Sequence, residues 1–220
     1  MERPNDKKLM PSRALVSSLL IILFHLVGLY GFLNAGYESL FIKLVPFHLL
    51  LMFVLLVINS GNKSMELMRF AIIVYLSGFF IEVIGVNTGL IFGTYQYGHA
   101  LGIKLWSTPL LIGLNWLILV YCTGIFLERF ELRNKNVFSA MGAGILLGLD
   151  FLIEPVAIRF DYWSWDESII PVQNYVAWYI FSFILFRLFS GINFHKKNDA
   201  AVVLLVAQAG FFLMLNFWAF

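Results

Sequence analysis

Seven stretches of about 18 or more predominantly apolar residues follow one another along this 220-residue chain, each long enough to cross a bilayer core. They are Ala14–Leu33, Phe41–Ile58, Leu67–Ile84, Pro109–Leu127, Val137–Ala157, Val172–Phe189 and Ala200–Trp218. In lipid a single chain must satisfy its own backbone polar groups, so such stretches predict helices. The expected fold is all-α: a polytopic bundle of about seven transmembrane helices forming one integral-membrane domain over residues 1–220. Composition agrees, because only 13% of residues are charged against about 25% in soluble domains. Glycines and short polar links separate the stretches, and no internal repeat is visible. The first stretch is too long for the apolar core of a signal peptide, and "MERPNDKK" before it reads as a basic tail, residues 1–13, that anchors a retained helix.

Orientation follows from lysine and arginine. With the N-terminus cytoplasmic and the C-terminus outside, twelve of the fifteen basic residues fall on the cytoplasmic side or at the adjoining helix ends. Lys43, Lys104 and Arg159 are left for the other face. The expected location is the cell membrane, as a multi-pass protein whose surroundings are the lipid bilayer. A net charge of +2 leaves no electrostatic footprint for nucleic acid. The single Cys122 excludes a disulfide framework.

Three acidic residues fall inside the apolar stretches. Ionisable groups within a membrane are costly and mark functional sites by default. Glu82 closes the third stretch, where it could also reach the interface. Asp150 and Glu154 are four apart in the fifth, so they share a helical face. Two such carboxyls side by side away from water are expected to hold a proton between them. The third and fifth helices run in the same direction, which puts all three carboxyls near one end of the bundle.

The two loops that begin at that end are unusual. One is "NTGLIFGTYQYGHALGIKLWSTPLLIGLNW" and the other is within "LDFLIEPVAIRFDYWSWDESIIPVQNYVAW". Tyr and Trp at a membrane surface often form no more than an interfacial belt. That does not account for Gly89, Gly93, Gly98 and Gly102, which cost about 1 kcal/mol each in a helix and predict a re-entrant or tightly folded loop packed on protein. Pro155 removes an amide hydrogen and is expected to disrupt the fifth helix one turn back. Tyr95, Tyr97, Trp163 and Trp165 become candidates to line a site. Asn115 and Trp116 open the fourth helix, where a buried Asn needs a partner such as a carboxyl. His99 lies in the first loop and is a candidate, while His25 and His48 read as packed or pore-facing rather than as ligands and His195 as solvated. No spacing suggests a metal site. No P-loop, dinucleotide fingerprint or nucleophile elbow is present, and no cofactor is called for. Helix seven has no lysine for a retinal Schiff base.

Taken together, Gly93–Tyr97 in the pattern Gly-x-Tyr-x-Tyr, Leu101–Gly102, Pro109 and Asn115–Trp116, with the second loop, resemble the membrane carotenoid hydratases. These comprise the carotenoid 1,2-hydratase and bisanhydrobacterioruberin hydratase group of carotenoid biosynthesis proteins. The resemblance spans residues 82–178, and the remaining helices agree in hydropathy. It departs at "WSTPLLIG", where a glycine is expected near Ser107–Thr108. It implies a hydro-lyase that adds water to the terminal C1=C2 double bond of a linear carotenoid, with other carotenoid biosynthesis enzymes as possible partners.

That chemistry suits the residues. An unactivated alkene takes up water only after protonation, here at C2, which leaves a tertiary cation at C1. A carboxyl pair can supply acid and base, and aromatic faces stabilise a desolvated cation by about 2 kcal/mol or more. Asp150 as general acid with Glu154 as its partner, or the reverse, and Glu82 orienting water with help from Asn115, form the expected catalytic set. Tyr95, Tyr97, Asn115, Trp116, Trp163, Trp165 and His99 form the expected substrate-binding set. A lycopene cyclase of membrane type would begin with the same protonation. A proton-coupled transporter would also place carboxyls in the membrane, though repeats and broken helices in both halves are missing. A pigment-binding protein without turnover is the remaining alternative.

Overall fold

The computed structural model describes residues 12–61 and 63–218. Residues 1–11, most of the basic tail, lie outside the described residues. Among the described residues, seven helices are long and apolar enough to cross a membrane. They are α1 (Arg13–Leu33), α2 (Glu38–Asn59), α3 (Met65–Thr88), α4 (Leu110–Glu128), α5 (Lys135–Arg159), α6 (Val172–Gly191) and α7 (Asp199–Trp218). Their starts are local. Ser12 and Ser64 each accept a hydrogen bond from the backbone amide three residues on, and Asn134 accepts from Asn136 and Val137. These contacts satisfy amides that a helix leaves unpaired at its N-terminus. α3 runs to Thr88, four residues beyond the apolar stretch, and stops at Gly89 in the left-handed conformation. α5 does not break at Pro155 but continues through it to Arg159. The proline costs only the bond to the Phe151 carbonyl, one turn from the helix end.

α4 is the central helix. Inside the bundle 78% of its most apolar window is buried, against 22–50% for the others. α2, α3, α5, α6 and α7 all touch it, while α1 packs on α7 and α2. The outward faces of the peripheral helices carry exposed Leu, Ile, Val and Phe, as expected where the solvent is hydrocarbon.

Four short strands occupy the loops at one end: β1 (Tyr95–Tyr97), β2 (Lys104–Leu105), β3 (Thr108–Pro109) and β4 (Trp163–Trp165). The loop after α3 is thus a folded cap and contains no re-entrant helix. β2 and β3 form a hairpin whose two central residues, Trp106 and Ser107, both have positive φ, 49° and 63°. Such a turn favours glycine or asparagine, so the glycine expected near Ser107–Thr108 has a conformational reason. β1 reaches out of its own loop to pair antiparallel with β4 of the other, in the register Tyr95 with Trp165 and Tyr97 with Trp163. Gly98 makes the junction possible. Its amide donates to the Tyr162 carbonyl at 2.9 Å, and a Cβ there would lie 1.9 Å from the Asp161 carbonyl oxygen.

Candidate active site

The β1–β4 ribbon arranges the site because side chains alternate across a strand. Tyr95 and Tyr97 point inward and Gln96 outward. Trp163 and Trp165 lie on the same face, with ring centroids 5.0 Å between Tyr95 and Trp165 and 6.1 Å between Tyr97 and Trp163. This four-ring lid serves two carboxylates, one from each of α3 and α5.

The tyrosines serve Glu82. The Tyr95 and Tyr97 hydroxyls donate to its Oε2 at 2.6 and 2.7 Å, and the Trp116 indole donates to its Oε1 at 2.9 Å. Burial first, and then the adjacent Glu82, holds both phenols well above the ordinary tyrosine range, so they remain donors. Trp116 can approach because α3 has Gly78 opposite it; a Cβ there would meet the Trp116 Cβ at 2.6 Å. Trp178 from α6 stacks on the indole at 4.2 Å.

The tryptophans serve Glu154. The Trp163 and Trp165 indoles donate to its Oε2 at 3.0 and 2.8 Å. Asn174, on the first turn of α6, donates through one amide nitrogen to Glu154 Oε1 at 3.3 Å and to Asp150 Oδ2 at 3.0 Å. Asp150 Oδ1 has no hydrogen-bond partner among the described residues. All three carboxyls are buried, with 4% or less of each exposed, and each lies within electrostatic reach of another.

Glu82 and Glu154 face a chamber of about 30 Å³, closed by the ribbon, Asn174 and Trp178. A space of that size holds about one water. Asp150 is not in the chamber lining and stands behind Glu154. The chamber adjoins a second, largely apolar cavity of about 310 Å³, and Ile112, Asn115, Ile153 and Trp163 line both.

The candidate residues therefore separate. Glu82, Glu154, Tyr95, Tyr97, Asn115, Trp163 and Trp165 meet at the chamber. Trp116 is not in the lining but touches two residues that are, Glu82 and Trp178. Half-buried Asn115 makes no hydrogen bond to a carboxyl among the described residues, and its amide sits at the junction of the two spaces. His99 is exposed and lines neither space. Asn174 and Trp178 were missed by the sequence reading. The polar pair Gln173–Asn174 at the head of an otherwise apolar helix was the available signal for Asn174.

The family model for carotenoid biosynthesis proteins matches residues 41–220 of this chain. No curated protein and no solved structure matches it. The match covers well over half the chain, which therefore belongs to that family.

Proposed function

With membership of the carotenoid biosynthesis family as the premise, we propose that the protein is a hydratase acting on the terminal C1=C2 double bond of a linear carotenoid. The observation that carries this reading is the pair Glu82 and Glu154, buried on the lining of one small chamber that adjoins an apolar cavity. Glu82 has three donors on its two oxygens, which suits a fixed carboxylate. Glu154 has both strong donors on Oε2, which leaves Oε1 to carry a proton. Glu154 is then the general acid and delivers its proton to C2. The π electrons form the new C–H bond and C1 becomes a tertiary cation. The water held beside Glu82 adds through oxygen to C1 and gives up a proton to Glu82, and the next water to enter relays that proton across the chamber to Glu154. The net change is one water added. Asp150 is a positioning residue that acts on Glu154 through Asn174. Asn115 sits where the chain end crosses from cavity to chamber.

The ring faces of Tyr95, Tyr97 and Trp163 flank the developing cation, an arrangement worth about 2 kcal/mol or more when desolvated. The chamber's size supports hydration over cyclisation. It admits a water, whereas capture by a neighbouring double bond needs room for the chain to fold back. The basic-residue asymmetry supports an orientation with the chamber towards the outer side of the membrane. The decisive experiment is expression in cells that accumulate a linear carotenoid, followed by chromatography of the pigments. A more polar tertiary alcohol is expected; a ring-bearing hydrocarbon would identify a cyclase instead. Unchanged pigment alongside folded protein would refute both.

A further inference from the structure

The larger cavity has an outer wall as well as an inner end. Phe24 and Val27 of α1 and Leu44 and Phe47 of α2 line it, yet the same residues are 40, 44, 42 and 68% exposed on the outside of the bundle. The cavity therefore reaches the lipid-facing surface in the cleft between α1 and α2. At its other end it meets the carboxyl chamber through Ile112, Asn115, Ile153 and Trp163. On the α7 side of the cavity, Gly28 lets α1 pass close to Phe211. The imidazoles of the wall are turned on protein, with His25 Nδ1 2.7 Å from the Ile21 carbonyl and its ring edge-on to His48 at 4.9 Å. An entering chain thus meets mostly hydrocarbon and ring surface. About 310 Å³ is at the lower limit of ligand pockets, enough to enclose one end of a long chain while the rest stays in the bilayer.

We propose that the cleft between α1 and α2 is a lateral portal through which one end of a long unsaturated hydrocarbon passes from the bilayer to the carboxyl chamber. This rests on the hydratase reading for the identity of the occupant. α1 lies outside the matched residues 41–220, so half of the portal is built by a segment beyond the family match.

The test uses the full chain in lipid nanodiscs with a linear polyene hydrocarbon as probe. Binding is read as induced circular dichroism in the polyene absorption band, and turnover is read separately by chromatography. Val27→Trp and Leu44→Trp, which fill the cleft, are expected to lower the induced signal and turnover at least tenfold. Ile73→Trp, on the exposed face of α3 and away from both cavities, is expected to keep both. Phe47→Ala, which widens the entrance, is expected to speed the appearance of the signal, and it serves if a tryptophan variant does not fold. Glu154→Gln is expected to keep the signal and lose turnover. If it kept turnover, Glu154 would not be the acid, while a wild-type signal without hydrated product would end the hydratase reading and leave the portal standing. Undiminished binding in folded Val27→Trp and Leu44→Trp, or unaltered uptake in Phe47→Ala, would overturn the portal. So would a wild-type cavity that retains phospholipid acyl chains and admits no polyene.

Discussion

The two ends of the bundle both bury aromatic rings around polar groups, yet they use them differently. At the end away from the chamber, Phe70, Phe189 and Phe194 pack edge-on and tilted, with centroids 5.3–5.4 Å apart. The buried amide beside them, Asn198, donates to the Leu56 carbonyl at 3.0 Å and the Tyr121 hydroxyl at 3.2 Å. The partners of Asn198 are all neutral, and the result is a tie between α2, α4 and the start of α7. At the chamber end the rings carry N–H and O–H groups, and they aim them at carboxylates. A buried neutral amide bonded to backbone holds helices together. Buried carboxyls held by side-chain donors around a small void are much harder for a membrane protein to keep, which fits the catalytic role proposed for them.

The contrast is broken most directly at the carboxyls. Glu82→Gln and Glu154→Gln keep shape but remove base and acid, and each is expected to lower hydrated-carotenoid yield by about 10²–10⁴-fold with thermal unfolding little changed. Wild-type yields from both would refute the chamber as the reacting site. Removing one donor tests the lid. Trp165→Phe leaves an aromatic ring but strips a hydrogen bond to Glu154, worth about 0.5–1.5 kcal/mol, so turnover is expected to fall severalfold while protein level holds. A loss of folded protein in proportion to activity would make the indole structural. The opposite end should respond in reverse. Asn198→Ala is expected to cost about 1–3 kcal/mol of stability without altering turnover per folded molecule; a selective loss of turnover would erase the distinction between the two ends. The smallest effect is expected in the hairpin outside the chamber, where Ser107→Gly relieves a positive φ and should add about 1 kcal/mol, measured as a raised unfolding midpoint at unchanged activity.

Much of this architecture is readable in one dimension. Hydrocarbon thickness sets helix length, and all seven spans lie within a few residues of the apolar stretches. Glu82, Asp150 and Glu154 are conspicuous because a carboxyl in an apolar run has no solvent to explain it. Their ranking was not readable. Asp150 and Glu154 share a helical face, but only packing against α6 and β4 turns Glu154 to the chamber and leaves Asp150 behind it. Trp116 and Trp165 are equally aromatic in sequence, and position alone makes one a donor to Glu82 and the other to Glu154. His99 stands in the same loop as Tyr95 and Tyr97 but falls beyond the strand that turns those tyrosines inward.

The amino-acid sequence by itself determined the membrane class, the seven spans, the helix caps and the presence of carboxyls that hydrocarbon would not tolerate unaided, because these depend on transfer energies and hydrogen bonds among near neighbours in the chain. Tertiary structure alone decided that Tyr95–Tyr97 pairs with Trp163–Trp165 across almost seventy residues, that Asn174 bridges two acids, and that an apolar cavity adjoins the chamber of Glu82 and Glu154. Strand register and cavity shape arise from contacts between distant segments, and no local periodicity encodes which segments will meet.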